Sequence, residues 1–134
     1  MKVYLAAPSR EMPRAHAAAA ALVEAGHVLT SQWHEENVPP SDAVISAKRA
    51  ATAWSMNRDG ILKAGAVVAL ACENGGLSQG VREEIAYAQG VRDTTPQWRE
   101  VVLVGEPWPS LAVAGCTVVP DLHAALVLLG RLCR

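Results

Sequence analysis

The eight residues from Ala64 to Ala71 hold no charged side chain and stop just before the polar turn Glu73-Asn74-Gly75-Gly76. A run this short has the length of a strand, and a strand that is apolar on both alternating sides must be covered on both faces. Strands of that kind belong to parallel sheets, whose connections cross over through helices. The rest of the chain fits that requirement. Val3 to Ala7 is a second apolar run, ending at Pro8-Ser9, and Glu11 to Ala25 is an Ala-rich helix closed by Gly26. His27 to Ser31 reads as a strand, and Asp42 caps a long helix running to about Lys63. Ser78 caps a helix from about Gln79 to Gln89, Val101 to Val104 and Cys116 to Val119 are strands, and Asp121 to Cys133 is a last helix. The expected fold is one α/β domain over residues 1–134. It is a small doubly wound parallel sheet, Rossmann-like or flavodoxin-like, with helices on both faces.

Composition narrows the partners and the core. The chain has no Phe, two Tyr and four Trp, and Ala fills 24 of its 134 positions, so Ala, Val and Leu must build a core with closely approaching helices. Twelve Lys and Arg against thirteen Asp and Glu, without a basic run, argue against nucleic acid as a partner. The apolar stretches are well short of a membrane span, and no signal-peptide pattern precedes the first strand. Cys72, Cys116 and Cys133 are odd in number and far apart, which suits small buried hydrophobes in a reducing cytoplasm rather than disulfides or zinc. His16, His27, His34 and His123 have no metal-ligand spacing, so neither metal nor cofactor is expected.

In a doubly wound sheet the ligand sits beyond the carboxyl ends of the strands. The loops there carry Pro8-Ser9-Arg10, then Trp33-His34-Glu35-Glu36, then Glu73 to Gly80 followed by Glu83-Glu84. The third loop combines glycines with a helix start, a combination that suits an anion or a sugar, although it is neither a P-loop nor GxGxxG. Glu83 and Glu84 point about 100° apart on that helix, so only one can face the site. Glu84, next to Ile85 and Ala88, flanks the buried side.

Lys2-Val3-Tyr4-Leu5-Ala6-Ala7-Pro8, Asn57-Arg58-Asp59, Val67-Val68-Ala69-Leu70 and Ser78-Gln79-Gly80-Val81-Arg82-Glu83-Glu84 stand in an order that resembles the nucleoside 2-deoxyribosyltransferases. The related 2'-deoxynucleoside 5'-monophosphate N-hydrolases share that layout. The resemblance implies cleavage of an N-glycosidic bond with Glu84 as nucleophile, Tyr4 orienting it and Asp59 serving the sugar and the departing base. It also implies Arg10 and Ser78 as phosphate contacts, with Ser9 and Gly80 beside them, and a site completed across a homodimer or higher homo-oligomer. Glu106-Pro107-Trp108-Pro109-Ser110 lacks the Asn that the transferases lend to a neighbouring subunit, which turns the expectation toward hydrolysis.

The residue types suit that chemistry. A carboxylate beneath C1' traps an oxocarbenium-like state, and a second acid of raised pKa protonates the leaving base. Trp33 offers an aromatic face for stacking a base, and equally a cover for the core edge. Taken singly, Tyr4 also reads as a core aromatic, Asp59 as a solvated helix residue before Gly60, and Arg10 as a surface cation. A non-catalytic nucleotide-binding module on the same fold is the alternative, since fold alone does not select a function.

Overall fold

The computed structural model describes residues 1–31, 54–95, 100–106 and 115–133. The expectations on Trp33, His34, Glu35, Glu36, Trp98 and Trp108, and on the Asp42 cap, lie outside the described residues. Strand β1 (Lys2–Ala6) leads through a 3-10 turn (Ser9–Glu11) into helix α1 (Met12–Glu24) and strand β2 (Val28–Leu29). Helix α2 is described over 54–63, followed by β3 (Ala66–Leu70) and α3 (Gln79–Thr94). The chain then forms β4 (Glu100–Val104), β5 (Thr117–Val119) and α4 (Leu122–Leu132). All five strands are parallel, in the order β2-β1-β3-β4-β5. This is the expected doubly wound α/β sheet.

Period-two alternation divides the core between the two faces of the sheet. Tyr4 and Ala6 of β1, Val67 and Ala69 of β3 and Val101 and Leu103 of β4 meet Ile61 of α2, Ala64 just after it, and Val81, Ile85 and Ala88 of α3. Their neighbours Val3, Leu5, Ala66, Val68, Val102 and Val104 point the other way, onto Ala18, Ala19 and Leu22 of α1 and Ala125 and Leu129 of α4. Both faces are covered, which is why β3 carries no polar residue. Helix α1 buries Ala15, Ala18, Ala19 and Leu22 at helical spacing, so small side chains bring its backbone close to the sheet.

Local chemistry sets the boundaries. Gly26 has φ +92, and its N–H and that of His27 bond back to Val23 and Leu22, closing α1 in a Schellman turn. Asp121 caps α4 by accepting from the Ala124 amide at 2.8 Å. Three expectations need correcting. Strand β2 pairs over two residues only, as a short edge strand. Helix α3 continues past Gly90 to Thr94, because Val91 packs inward and the Thr94 and Thr95 hydroxyls bond to the carbonyls of Gly90 and Val91 at 2.8 Å. Asp93 therefore belongs to the helix. Cys133 is exposed and Cys72 and Cys116 half-buried, so none of the three free thiols is fully buried, although Cys116 packs against the core. Trp54 meets the Tyr87 ring edge-on at 6.0 Å, with the Arg58 guanidinium 5.8 Å from the centre of the Trp54 ring.

Candidate active site

Strand β1 lies between β2 and β3, so the chain leaving β1 turns to α1 on one face and the chain leaving β3 turns to α3 on the other. The crevice between those two departures is the switch point at which such sheets bind ligands. A cavity of about 700 Å³ opens there, within the size range of small-molecule sites. Five of the eight residues singled out from the sequence line it: Ser9 and Arg10 after β1, Ser78 and Gly80 at the start of α3, and Glu84 one turn further on. Trp33 lies outside the described residues.

The walls are built by loop chemistry. Gly75 adopts φ +87, a conformation that glycine takes without strain, and the Asn74 side chain accepts from the Gly76 amide at 2.9 Å. Ser78 has extended backbone, and its hydroxyl oxygen accepts from the Val81 amide at 3.2 Å, which leaves its O–H proton for a ligand. Beneath the cavity, Arg14 of α1 joins the two loops. It donates to the Ala71 carbonyl at 3.0 Å and to the Glu11 carboxylate, and Glu11 in turn accepts from the Glu73 amide at 3.1 Å. The Arg14 pairing holds the Glu11 carboxyl below the usual carboxylate range, against the opposing effect of burial.

Of the two adjacent acids on α3, Glu84 turns inward and is 8% exposed, whereas Glu83 stays in solvent and bonds to Gln79. Inward positions of α3 recur at Val81, Glu84, Ile85, Ala88 and Val91, the helical period that carries Glu84 onto the sheet side. Burial pushes the Glu84 carboxyl up to about 7, and the neighbouring charge of Glu83 pushes the same way. The Tyr4 hydroxyl opposes them by favouring the carboxylate. Tyr4 itself is fully buried, and burial and the Glu84 charge raise its pKa far above the phenolic range. The contact falls short of hydrogen-bond geometry, for Tyr4 Oη and Glu84 Oε2 both lack a hydrogen-bond partner among the described residues. A buried carboxylate oxygen is thus left unquenched at the wall of an open cavity.

Asp59 is placed elsewhere. Its side chain is 61% exposed and pairs with Lys63 at 2.7 Å, and it does not line this cavity. Helix α2 turns Gly60 and Ile61 inward and presents Asn57 to the cavity, so the expectation of Asp59 as the proton donor is corrected by the phase of the helix. Asn57 is a residue that sequence reasoning quoted but gave no role. Arg82, which lines the cavity, is another, and Arg14 went unquoted; its spacing of three from Glu11 was the only available signal. Among the described residues no cluster of His, Cys, Asp or Glu could hold a metal ion, and no helix is long and apolar enough to cross a membrane.

No family model matches the chain, and no curated protein matches it. Among solved structures it is similar to the TIR domains of the activated Roq1 resistosome directly recognizing the pathogen effector XopQ. The TM-score is 0.51 and the identity 12%, over 98% of this chain and 70% of that one. A likeness at that identity shows the α/β fold alone.

Proposed function

We propose that the chain cleaves the N-glycosidic bond of a nucleoside or nucleoside 5'-monophosphate, with Glu84 as nucleophile. The observation that carries this reading is the buried Glu84 carboxyl, with Oε2 unpartnered among the described residues, on a residue that lines the switch-point cavity. In its ionised form Glu84 attacks C1'. The C1'–N bond breaks with its electron pair on the base, which takes a proton from water, and a glycosyl ester forms on the carboxylate. Attack on C1' by water, or by a second base, breaks the ester and restores Glu84. Tyr4 orients the carboxylate from behind, and Asn57 offers a carboxamide to the sugar. Arg10, Ser78 and the open start of α3 suit a 5'-phosphate.

The outward position of Asp59 favours a second reading, a nucleotide-binding module without turnover. Incubating the protein with deoxy- and ribonucleosides and their monophosphates and measuring free base separates the two. Release that Glu84→Gln abolishes supports the enzyme, whereas saturable binding without release, indifferent to that variant, supports the module. Base exchange on adding a second base separates transfer from hydrolysis. We read the setting as cytoplasmic and the working form as a homodimer, with the exposed Met56 and Leu62 of α2 as contact candidates that sedimentation can test.

A further inference from the structure

An ordinary base leaves C1' slowly unless a proton reaches it, because the electron pair of the broken bond otherwise departs as an anion. Among the described residues five titratable side chains line the cavity: Arg10, Glu11, Cys72, Arg82 and Glu84. Glu11 is paired with Arg14 and accepts from the Glu73 amide, so it is held as the carboxylate. Burial and the Glu11 charge push the Cys72 thiol up, and the guanidiniums keep their protons throughout. Asp59, the acid expected to serve the base, faces solvent and pairs with Lys63 at 2.7 Å. What the cavity does offer a departing group is negative charge. Glu84 is 8% exposed with Oε2 unpartnered, and no ion pair joins it to Arg10 or Arg82 among the described residues. A buried carboxylate without a partner is costly, and a cation set beside it relieves that cost. Both observations select the same leaving group, a ring that is cationic while attached and neutral once released.

Resting on the N-glycosidase reading, we infer that the site takes pyridinium N-glycosides, whose ring departs as a neutral base without a proton donor. The C1'–N bond breaks with its electron pair on the ring nitrogen, which thereby loses its positive charge. Glu84 takes up C1' as the glycosyl ester. Water then attacks C1', leaving its hydroxyl on the sugar and one proton in solvent as the Glu84 carboxylate is restored. No proton moves in the step that breaks the glycosidic bond. The resemblance supplied an acid for the departing base; the outward turn of Asp59 changes which base can depart.

The test measures free base from nicotinamide riboside, inosine, adenosine and uridine, and from their 5'-monophosphates. Nicotinamide should be released with kcat/KM at least about a hundredfold above the other bases, the smallest advantage that a missing general acid implies. Glu84→Gln should abolish that release. Ordinary bases released as fast as nicotinamide, or faster, overturn the inference and leave the N-glycosidase reading standing. A second measurement reads binding apart from turnover, at pH 8, where Glu84 is ionised. Calorimetric titration compares carbocyclic nicotinamide riboside, whose C1'–N bond resists cleavage, with its reduced and uncharged dihydropyridine form. The wild type should bind the charged ring about tenfold more tightly, and Glu84→Gln should bind the two alike. Equal affinity in the wild type, or a preference that survives in Glu84→Gln, overturns the inference. A preference that depends on Glu84 supports it even when no substrate releases base, an outcome that removes the N-glycosidase reading alone.

Discussion

Replacing Glu84 by Gln should remove the carboxylate proposed as nucleophile and, above neutral pH, make the protein more stable. An unfolded glutamate ionises near 4.5, whereas in the folded chain Glu84 holds its proton to about pH 7. Between those values the folded state binds the proton and the unfolded state does not, so stability falls as pH rises. The interval of 7 − 4.5 = 2.5 pKa units, at about 1.36 kcal/mol each, makes the cost about 3 kcal/mol above pH 7. Gln has nearly the same shape and no charge to bury. Its advantage over the wild type should therefore be small near pH 4.5 and grow to about 3 kcal/mol by pH 8, or about 10 °C in Tm for a chain of this size. Thermal melts of both proteins across that range measure it directly. A Tm difference that does not change with pH, or a Gln variant less stable at pH 8, would refute the idea that burial governs this carboxyl.

Tyr4→Phe removes the hydroxyl that favours the Glu84 carboxylate, so the Glu84 pKa should move above about 7. The rising limb of kcat/KM against pH should move up with it, and an unmoved limb would leave Tyr4 a core aromatic only. Gly60→Ala should destabilise by about 1–3 kcal/mol in urea unfolding, although the same change in a free helix is favourable by about 1 kcal/mol. The added Cβ would lie 2.6 Å from the Thr30 carbonyl oxygen and 3.0 Å from the Tyr4 ring, and a stabilised variant would contradict that packing. Asp59→Asn should cost no more than about 1 kcal/mol, as an exposed ion pair does, and should leave base release intact. A large loss of base release would return Asp59 to the chemistry.

The sheet was legible because burial on both faces leaves the same mark on every strand, apolar runs without alternation, as in Val67-Val68-Ala69-Leu70. Glu84 was separable from Glu83 because Ile85 and Ala88 fix which side of that helix is buried. Asn57-Arg58-Asp59 offered no such anchor. Three consecutive polar residues fit any helix phase, and the phase is set by the close approach of Gly60 to Thr30 and Tyr4, whose hydroxyl and ring lie far away in sequence. Arg14 was illegible for a similar reason, since its partner is a backbone carbonyl 57 residues on. The end of α3 was misplaced because Gly90 reads as a stop signal, whereas the inward packing of Val91 carries the helix through it.

The Arg14 crosslink has a mechanical consequence. The loop after β1 and the loop after β3 approach the cavity from opposite faces of the sheet, and each alone would be free to drift. One guanidinium fastened to Glu11 and Ala71, with Glu11 fastened to Glu73, makes the two margins of the cavity a single rigid jaw. The aperture over Glu84 is therefore set by α1, a helix none of whose side chains lines the cavity, and the Glu84 floor and the rim at Ser9 and Ser78 keep a fixed spacing.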